Sequence, residues 1–324
     1  MDEAPEADTV LLAHNPRAGP RPRAPQVLRL ADRLAEDGWN AVPVDDLTRT
    51  HALAAQLRAE GRLRGVIAAG GDGTLAAVAN CTPIGTPLVV YPLGTENLVA
   101  RYFGYRRRPN AVADLLRTGQ EIAIDAGMAG DRLFVLMISA GFDAEVVRRV
   151  AEARVGHIRR WTYAKPLLAA MRTYKYPELR ISWAGPSLTG TGSEPRELEV
   201  ASVRWMFGMN LSKYAFGLNF APAASGTDGL LDVCTFSEGS VLQVFRIAWG
   251  VLLRRHLRFR DTLMIRCSRM RIEVPDGITV PYQLDGDFGG FLPVDVRILP
   301  GRLRFLMSTA MANRIAAAGI IDKP

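Results

Sequence analysis

The stretch Gly65-Val-Ile-Ala-Ala69 followed by Gly70-Gly-Asp-Gly-Thr74 indicates the fold class, because an apolar run passes directly into a glycine-rich loop. The next residues, Leu75 to Cys81, have the apolar spacing of a helix. Glycine lets a backbone approach a ligand closely, and the first turn of a helix has unpaired N–H groups that attract anions. We therefore interpret this loop as a phosphate-binding loop, while an ordinary strand-to-helix turn stays open as the alternative.

The same alternation of strand and helix is repeated along the first third of the chain. Apolar runs predict strands at residues 9–14, 41–44, 65–69 and 87–91, and helical spacing predicts helices at 25–38, 51–60, 75–81 and 97–103. Strands that alternate with helices form parallel sheets covered by helices on both faces. The sequence therefore predicts an α/β domain with a parallel sheet.

Three glycine-containing loops of this predicted sheet follow a strand. They are Asn15-Pro-Arg-Ala-Gly19, Gly70–Thr74 and Pro92-Leu-Gly-Thr-Glu-Asn97. Because parallel strands end at one edge of a sheet, where ligands bind, we expect these loops to converge. The carboxylate of Asp72 would repel phosphate unless a cation lay between them, so a Mg²⁺-nucleotide fits better than free phosphate. The dinucleotide fingerprint Gly71-x-Gly73-x-x-Ala76 is a weaker alternative.

The pattern changes after Gly119 to short β-rich runs separated by turns, such as Leu133–Ile138 and Leu198–Met206. Few helices are predicted among them, and the longest is at Val241–Leu257. Short strands joined by turns are typical of antiparallel sandwiches. We predict an α/β domain with a parallel sheet at residues 1–120 and a mostly antiparallel β-sandwich domain at 121–305. Residues 306–324 are expected to pack back on the first domain.

Composition excludes several classes of protein. The chain has 324 residues, 48% of them hydrophobic, and a formal charge of +7 that comes almost wholly from arginine. No lysine lies in a glycine-rich loop, which excludes a Walker A site, and neither Gly-x-Ser-x-Gly nor a zinc-protease histidine pair is present. The three cysteines form no Cys-x-x-Cys pair, and the acidic first residues differ from a signal peptide. We therefore expect a cytoplasmic protein.

Six motifs follow one another along the chain. They are Asn15-Pro-x-Ala-Gly19, Gly70-Gly-Asp-Gly-Thr74, Pro92-Leu-Gly-Thr95, Gly141-Phe-Asp-Ala144, Asp228-Gly-Leu-Leu-Asp232 and Asp285-Gly-Asp287. In this order they resemble the motifs of the diacylglycerol kinase catalytic-domain family, which includes bacterial lipid kinases and sphingosine kinases. The resemblance implies a nucleotide-binding α/β domain and a β-sandwich domain for the lipid substrate. It also implies ATP- and Mg²⁺-dependent phosphorylation of a lipid hydroxyl, as in diacylglycerol or a sphingoid base.

The resemblance further implies roles for single residues. Asp287 stands where the family has the Glu that accepts the proton, and Asp285 could form a carboxylate pair with it. Asp143 resembles an acid near the lipid head group, while Asp228 and the carbonyl of Leu230 match a structural Mg²⁺ site. The nucleotide would be held by Asn15, Pro16, Gly19, Gly70, Gly71, Asp72, Gly73, Thr74, Gly94, Thr95 and Asn97.

Several positions differ from the family pattern. Asp287 is one methylene shorter than Glu, Glu96 replaces a small residue, and Ala76 and Ala77 follow the first glycine loop where Asn and Glu are usual. Two alternatives to a lipid kinase therefore stay open. One is a kinase for a soluble substrate, similar to NAD kinase, and the other is a relative that binds nucleotide or lipid without transferring phosphate.

A basic and apolar surface is predicted in the second domain. It is formed by residues 252–260 and by Arg148, Arg149, Arg154, Arg159 and Arg160. Such a surface suits an anionic membrane that contains the lipid substrate, at the inner face of the cell membrane. Arginines that simply face solvent are the alternative. Nucleic acid is not an expected partner, and a homodimer stays open.

Overall fold

The computed structural model describes residues 7–15, 23–153, 164–184, 199–214 and 218–321. The chain divides into two compact units, with boundaries after Ile124 and after Pro300. The first unit contains the described residues up to Ile124 and from Gly301 onward, and the second contains those between them. None of the described helices is long and apolar enough to cross a membrane.

Strands and helices alternate in the first unit, as the sequence predicts. Its elements are β1 (Thr9–His14), α1 (Ala24–Glu36), β2 (Asn40–Val44), α2 (Leu47–Ala59), β3 (Leu63–Gly70), α3 (Asp72–Cys81), β4 (Pro87–Pro92), α4 (Leu98–Phe103), α5 (Pro109–Thr118) and α9 (Thr309–Ile321). The strands are parallel in the order β2-β1-β3-β4. This confirms the predicted parallel α/β sheet.

Apolar spacing determines how the helices of this unit pack. In α1 the buried side chains are Val27, Leu30, Ala31 and Leu34, which recur at three- and four-residue intervals along one face. In β3, by contrast, residues 65 to 70 are all buried. A strand buried on both faces has a continuous apolar run because helices cover both sides of a parallel sheet.

The second unit is mostly antiparallel. Its elements are β6 (Arg132–Phe134), β7 (Met137–Ala140), α6 (Phe142–Glu152), α7 (Ala164–Thr173), β8 (Leu179–Ala184), β9 (Glu199–Val203), β10 (Trp205–Met209), β11 (Leu231–Phe236), α8 (Val241–Leu252), β12 (Thr262–Cys267), β13 (Arg269–Glu273), β14 (Pro281–Leu284) and β15 (Asp287–Phe291). Two further strands, β5 (Gln120–Ala129) and β16 (Val294–Met307), each continue from one unit into the other.

Two layers of strands form the core of the second unit. One is a six-stranded sheet in the order β12-β11-β10-β7-β14-β15, and the other contains β13, β8 and β9 with the first half of β16. Buried side chains from both layers form a single apolar cluster that includes Ile138, Met206, Val233, Ile181 and Met270. This confirms the predicted antiparallel second domain.

Two predicted elements differ from the structure. The run at 133–138 is divided between β6 and β7, because the N–H groups of Val135 and Leu136 bond to the side chain of Asp285 instead of to a strand. The helix predicted to reach residue 257 ends at Leu252, and Arg254 adopts a left-handed φ of 55°. A short 3-10 helix, His256–Arg258, follows.

Candidate active site

The first unit has a topological switch point between two of its strands. The chain moves from β1 outward to β2 and then crosses back to β3, which lies on the other side of β1. Helices leave the sheet in opposite directions at such a point, and the crevice beyond the strand ends is the usual ligand site of open α/β sheets. Asn15 follows β1 at this crevice, and Gly71 follows β3.

Strand register places the second and third glycine loops beside each other. Gly70 is paired with Pro92, so β3 and β4 end in the same row of the sheet, and His14 of β1 is paired with Ala69 one row below. The N–H of Leu93 donates to the carbonyl of Gly70 at 2.8 Å. The predicted convergence of the three strand ends is therefore observed, although Pro16 and Gly19 lie outside the described residues.

Glycine is required where these two loops touch. A Cβ added to Gly94 would lie 2.4 Å from the Cα of Gly71 and 2.8 Å from Oδ1 of Asn97. Real Cβ atoms do not approach other atoms so closely, so neither loop could keep its place with a side chain at Gly94. The glycines of these motifs thus serve the contact between loops.

Asp72 joins the two loops through its carboxylate. Its Oδ2 accepts the N–H of Leu98 at 2.9 Å, and its Oδ1 accepts the N–H of Val99 at 3.0 Å. Burial raises the pKa of Asp72, while these two bonds act in the opposite direction. The argument that Asp72 needs a cation is therefore corrected: backbone N–H groups of α4 compensate its charge.

Asn97 completes the second loop in a left-handed conformation, with φ 50° and ψ 53°. Its side chain accepts the N–H of Gly94 at 2.8 Å and donates to the carbonyl of Gly94 at 2.9 Å. Asparagine tolerates left-handed backbone better than most residues because its short side chain bonds locally. Gly73 and Thr95 are the exposed residues of the two loops, while Thr74 is buried.

In the second unit, Asp285 and Gly286 form a tight turn between β14 and β15. Both have positive φ, 53° and 89°, which is the requirement of a two-residue type I′ hairpin. The carboxylate of Asp285 accepts three backbone N–H groups, from Val135 at 2.7 Å, Leu136 at 2.8 Å and Met137 at 2.9 Å. These bonds attach the hairpin to the start of β7.

Asp287 is the first residue of β15, and it is exposed. In β14, which pairs with β15, the buried Gln283 accepts the N–H of Gly286 at 2.7 Å and donates to Oγ of Ser139 at 2.8 Å. Ser139 in turn donates to Oδ2 of Asp143. A hydrogen-bonded chain therefore runs from the Asp-Gly turn to Asp143.

Asp143 lies in the first turn of α6, within a group of aromatic rings. Its Oδ1 accepts the indole N–H of Trp205 at 2.7 Å, and the hydroxyl of Tyr214 is 3.4 Å from Oδ2. Burial raises the pKa of Asp143, and the hydrogen bonds from Ser139 and Trp205 oppose this effect. Phe142 stacks on Tyr176 at a centroid distance of 5.7 Å.

Sequence reasoning did not identify Gln283, Ser139 or Trp205. Each belongs to a different strand of the six-stranded sheet, respectively β14, β7 and β10. Gln283 pairs with Ser139 across the β14–β7 ladder, which explains their contact. The only signal in the sequence is that Ser139 and Gln283 are polar residues within apolar runs.

An arginine lies beside the residues expected to hold a structural Mg²⁺, Asp228 and Leu230. Arg266 of β12 forms ion pairs with Asp228 and, at 3.3 Å, with the buried Asp232. Oδ1 of Asp228 accepts the N–H of Leu230 at 3.0 Å. A guanidinium thus supplies the positive charge at this position. Within the described part of the chain, no group of three or more His, Cys, Asp or Glu could hold a metal ion.

The arginines of α6 are not part of a basic surface. Arg148 pairs with Glu145 at 2.8 Å and also with Glu152, and Arg149 pairs with Glu145 at 2.6 Å. The prediction that they belong to a basic surface facing an anionic membrane is corrected, because glutamates of the same helix neutralise their charges. Arg154, Arg159 and Arg160 lie outside the described residues.

The sequence matches two family profiles. Residues 9–129 match the diacylglycerol kinase catalytic domain, and residues 136–307 match the YegS C-terminal NAD kinase beta sandwich-like domain. Among curated proteins, a diacylglycerol kinase of Mycobacterium tuberculosis is 30% identical over 85% of this chain and 87% of its own length. A probable lipid kinase YegS-like protein of Pseudomonas fluorescens is 32% identical over 72% of this chain and 74% of its own length.

Solved structures show the same fold. The crystal structure of a diacylglycerol kinase from Bacillus anthracis aligns with a TM-score of 0.63 and 15% identity, and covers 94% of this chain and 98% of that one.

Proposed function

Since this chain belongs to the family of diacylglycerol kinases and YegS-like lipid kinases, and is therefore a kinase, we propose that it transfers the γ-phosphoryl group of ATP to a lipid hydroxyl. The observation that carries the proposal is the close contact between the two glycine loops at the ends of β3 and β4, next to the switch point of the parallel sheet. The proposed acceptor is diacylglycerol, because the similar protein of Mycobacterium tuberculosis is named for it.

Phosphoryl transfer requires that the donor be held in place, that its charge be neutralised and that the nucleophile lose a proton. The exposed Gly73 and Thr95, with Asn15 beside them at the sheet edge, would bind the phosphates. Asp72 and Asn97 would act as positioning residues, because they hold the two loops together. Mg²⁺ would enter with ATP and supply charge neutralisation on its phosphates.

Asp287 is the proposed proton acceptor. It is exposed at the start of β15. Asp285, two residues before it, is only partly exposed, and its carboxylate accepts three N–H groups. A carboxylate with several such bonds has its charged form stabilised and is a weak base. Asp285 is therefore a positioning residue for Asp287 and not its catalytic partner.

Asp143 is the proposed contact for the head group of the lipid. Burial raises the pKa of Asp143, so its carboxyl group keeps its proton to a higher pH than an exposed aspartate does. Around it, Phe142, Tyr174 and Trp205 provide apolar rings, and the hydroxyls of Tyr174 and Tyr176 are buried. Apolar walls with a few polar groups suit a ligand that has both a hydrocarbon part and hydroxyls.

The test is transfer of labelled phosphate from Mg-ATP to diacylglycerol, a sphingoid base and other lipid alcohols in mixed micelles, with NAD as the soluble acceptor. Asp287→Asn should lower kcat by about a hundredfold or more, since a general base contributes that much. Asp276→Asn, at another exposed acid, is the matched control and should retain activity.

Each contrary result identifies a different error. Phosphorylation of NAD alone would replace the lipid acceptor by a soluble one. Binding of ATP without transfer to any acceptor would indicate a relative that binds but does not react. Full activity of Asp287→Asn with lipid transfer intact would overturn only the role of Asp287.

A further inference from the structure

Helix α8 is apolar around most of its circumference but is buried on only one side. Val244, Ile247 and Val251 are its buried apolar side chains. On the other side Leu242, Phe245, Trp249 and Leu252 are 81%, 59%, 64% and 62% exposed. These four residues and the exposed Leu253 recur at helical spacing, and we call them the α8 apolar face. Soluble proteins rarely expose so many large apolar side chains together, except where a partner binds.

The exposure of the α8 apolar face does not come from a loosely attached helix. Arg246 forms an ion pair with Asp261 and lies 4.5 Å above the ring of Phe259. Gly250 packs against the same ring, since a Cβ there would lie 2.4 Å from it. The side chain of Ser240 caps the helix by accepting the N–H of Gln243. The helix is thus held on its polar and buried sides while its apolar face is presented outward.

Positive charge adjoins this face without acidic counterparts. Residues 241 to 260 contain no Asp or Glu. Arg254, Arg255, Arg258 and Arg260 are all exposed, and none forms an ion pair within the described part of the chain. We call these four residues the arginine strip. It follows directly on the last turn of the helix, so it borders the apolar face.

We propose that the α8 apolar face and the arginine strip form the surface by which the protein docks on an anionic phospholipid membrane. Leucine and aromatic side chains on an interfacial helix enter the boundary between head groups and acyl chains, and tryptophan favours this level in particular. Arginines beside them meet the phosphates of the lipids.

Charge complementarity favours a membrane over a second copy of the chain. Two copies joined through α8 would offer each arginine strip no acidic partner from residues 241 to 260, which contain no Asp or Glu, and each copy carries a net charge of +7. Like charges at the rim of an interface oppose association, whereas an anionic bilayer neutralises them. The purpose of the surface rests on the proposed function, because a kinase whose acceptor lies in a bilayer must reach that bilayer.

Vesicle binding of the full chain tests this surface without ATP, and therefore separately from catalysis. Vesicles of phosphatidylcholine with phosphatidylglycerol are sedimented with protein, and vesicles of phosphatidylcholine alone serve for comparison. The wild type should bind the anionic vesicles at least about tenfold more tightly, and added salt should weaken binding because it screens the arginines.

Two double variants separate the contributions of the α8 apolar face and of the arginine strip to vesicle binding. Phe245→Ser with Trp249→Ser, and separately Arg254→Gln with Arg255→Gln, should each weaken binding by about tenfold. Ile84→Ser is the matched control, because Ile84 is 70% exposed but lies in the first unit. Trp249→Leu should keep binding and lose the blue shift of tryptophan emission on vesicles.

Three results would overturn the proposal. The first is that the wild type binds both kinds of vesicle equally well. The second is that the Phe245→Ser, Trp249→Ser double variant binds vesicles as the wild type does. The third is that the wild type sediments as a dimer and the double variant as a monomer. Activity on a short-chain diacylglycerol dispersed as monomers should be the same in the variant and wild type. Lack of phosphate transfer together with intact vesicle binding would instead count against the proposed kinase reaction.

Discussion

At the scale of single residues, three aspartates that belong to similar Asp-Gly motifs have different surroundings. Asp72 and Asp285 each accept backbone N–H groups from residues far away in the sequence. Asp287, two residues beyond Asp285, is exposed at the start of a strand. Of the three, Asp287 is the one whose side chain is exposed to an incoming substrate, and it is therefore the carboxylate that we propose as the base.

Asp285→Asn should lower the free energy of unfolding by about 2 kcal/mol, since bonds to a charged acceptor contribute more than neutral ones. Asparagine tolerates the left-handed φ of 53°, so the loss would report on the three N–H bonds and not on the turn. Urea unfolding measures this, with Asp276→Asn as the control. Equal stabilities of the two variants would show that the bonds contribute little.

Arg266→Ala should lower the stability by about 1 kcal/mol or more, because it removes the guanidinium that pairs with the carboxylate of Asp232, whose side chain is 2% exposed. The wild type should melt at the same temperature in EDTA and in Mg²⁺. Arg271→Ala removes an exposed arginine that also pairs with two acids and should have no measurable effect. A wild-type melting temperature that Mg²⁺ raises would support a metal at Asp228.

At the scale of elements, the candidate nucleotide site is a contact between two loops. The starts of α3 and α4 are joined by Asp72, and Gly71 and Gly94 touch backbone to backbone. Neither loop has its shape independently of the other. A change at either loop should therefore alter both, even when the altered residue does not contact a phosphate.

Gly94→Ala tests this coupling. The added Cβ must push Gly71 away, and overpacking of this kind costs about 1–3 kcal/mol. If the ATP complex bears the whole cost, the affinity for ATP should fall by about 5- to 150-fold. Titration calorimetry with ATP gives the Kd. Gly130→Asn, at a left-handed turn with no atom near its Cβ, should bind ATP as the wild type does. Unchanged affinity of Gly94→Ala would remove this loop from the nucleotide site.

At the scale of the whole molecule, the two units have different kinds of core. The first is a parallel sheet covered by helices, and the second is built from two layers of mostly antiparallel strands. Cys234 and Cys267 lie on adjacent strands of the second unit and are fully buried. Burial raises the pKa of both thiols to about 12, so almost no thiolate is present at neutral pH.

These two cysteines should report on unfolding of the second unit. Because the thiolate is the reactive form, iodoacetamide at pH 8 should label native protein only at Cys81, which is partly exposed. Labelling of Cys234 and Cys267, read by mass spectrometry, should rise with urea together with loss of circular dichroism. Rapid labelling of either in native protein would show that the strands open locally.

The sequence by itself determined the alternation of strand and helix and the glycine loops at the strand ends. These follow from periodicity and from the backbone geometry that glycine permits, and both are local properties. Two element boundaries were predicted wrongly. Within 133–138 the side chain of the distant Asp285 interrupts the strand, and before 257 the left-handed Arg254 follows the end of the helix.

Only the tertiary structure decided what the acidic residues contact. The carboxylate of Asp72 meets α4 twenty-six residues later, Asp285 meets the start of β7 about 150 residues earlier, and Asp232 meets Arg266 across the β11–β12 pair. It also decided that one side of α8 remains uncovered. Such partners depend on strand order and register, and the free energy of each contact is gained only when the sheet has assembled. No spacing of residues along the chain contains that information.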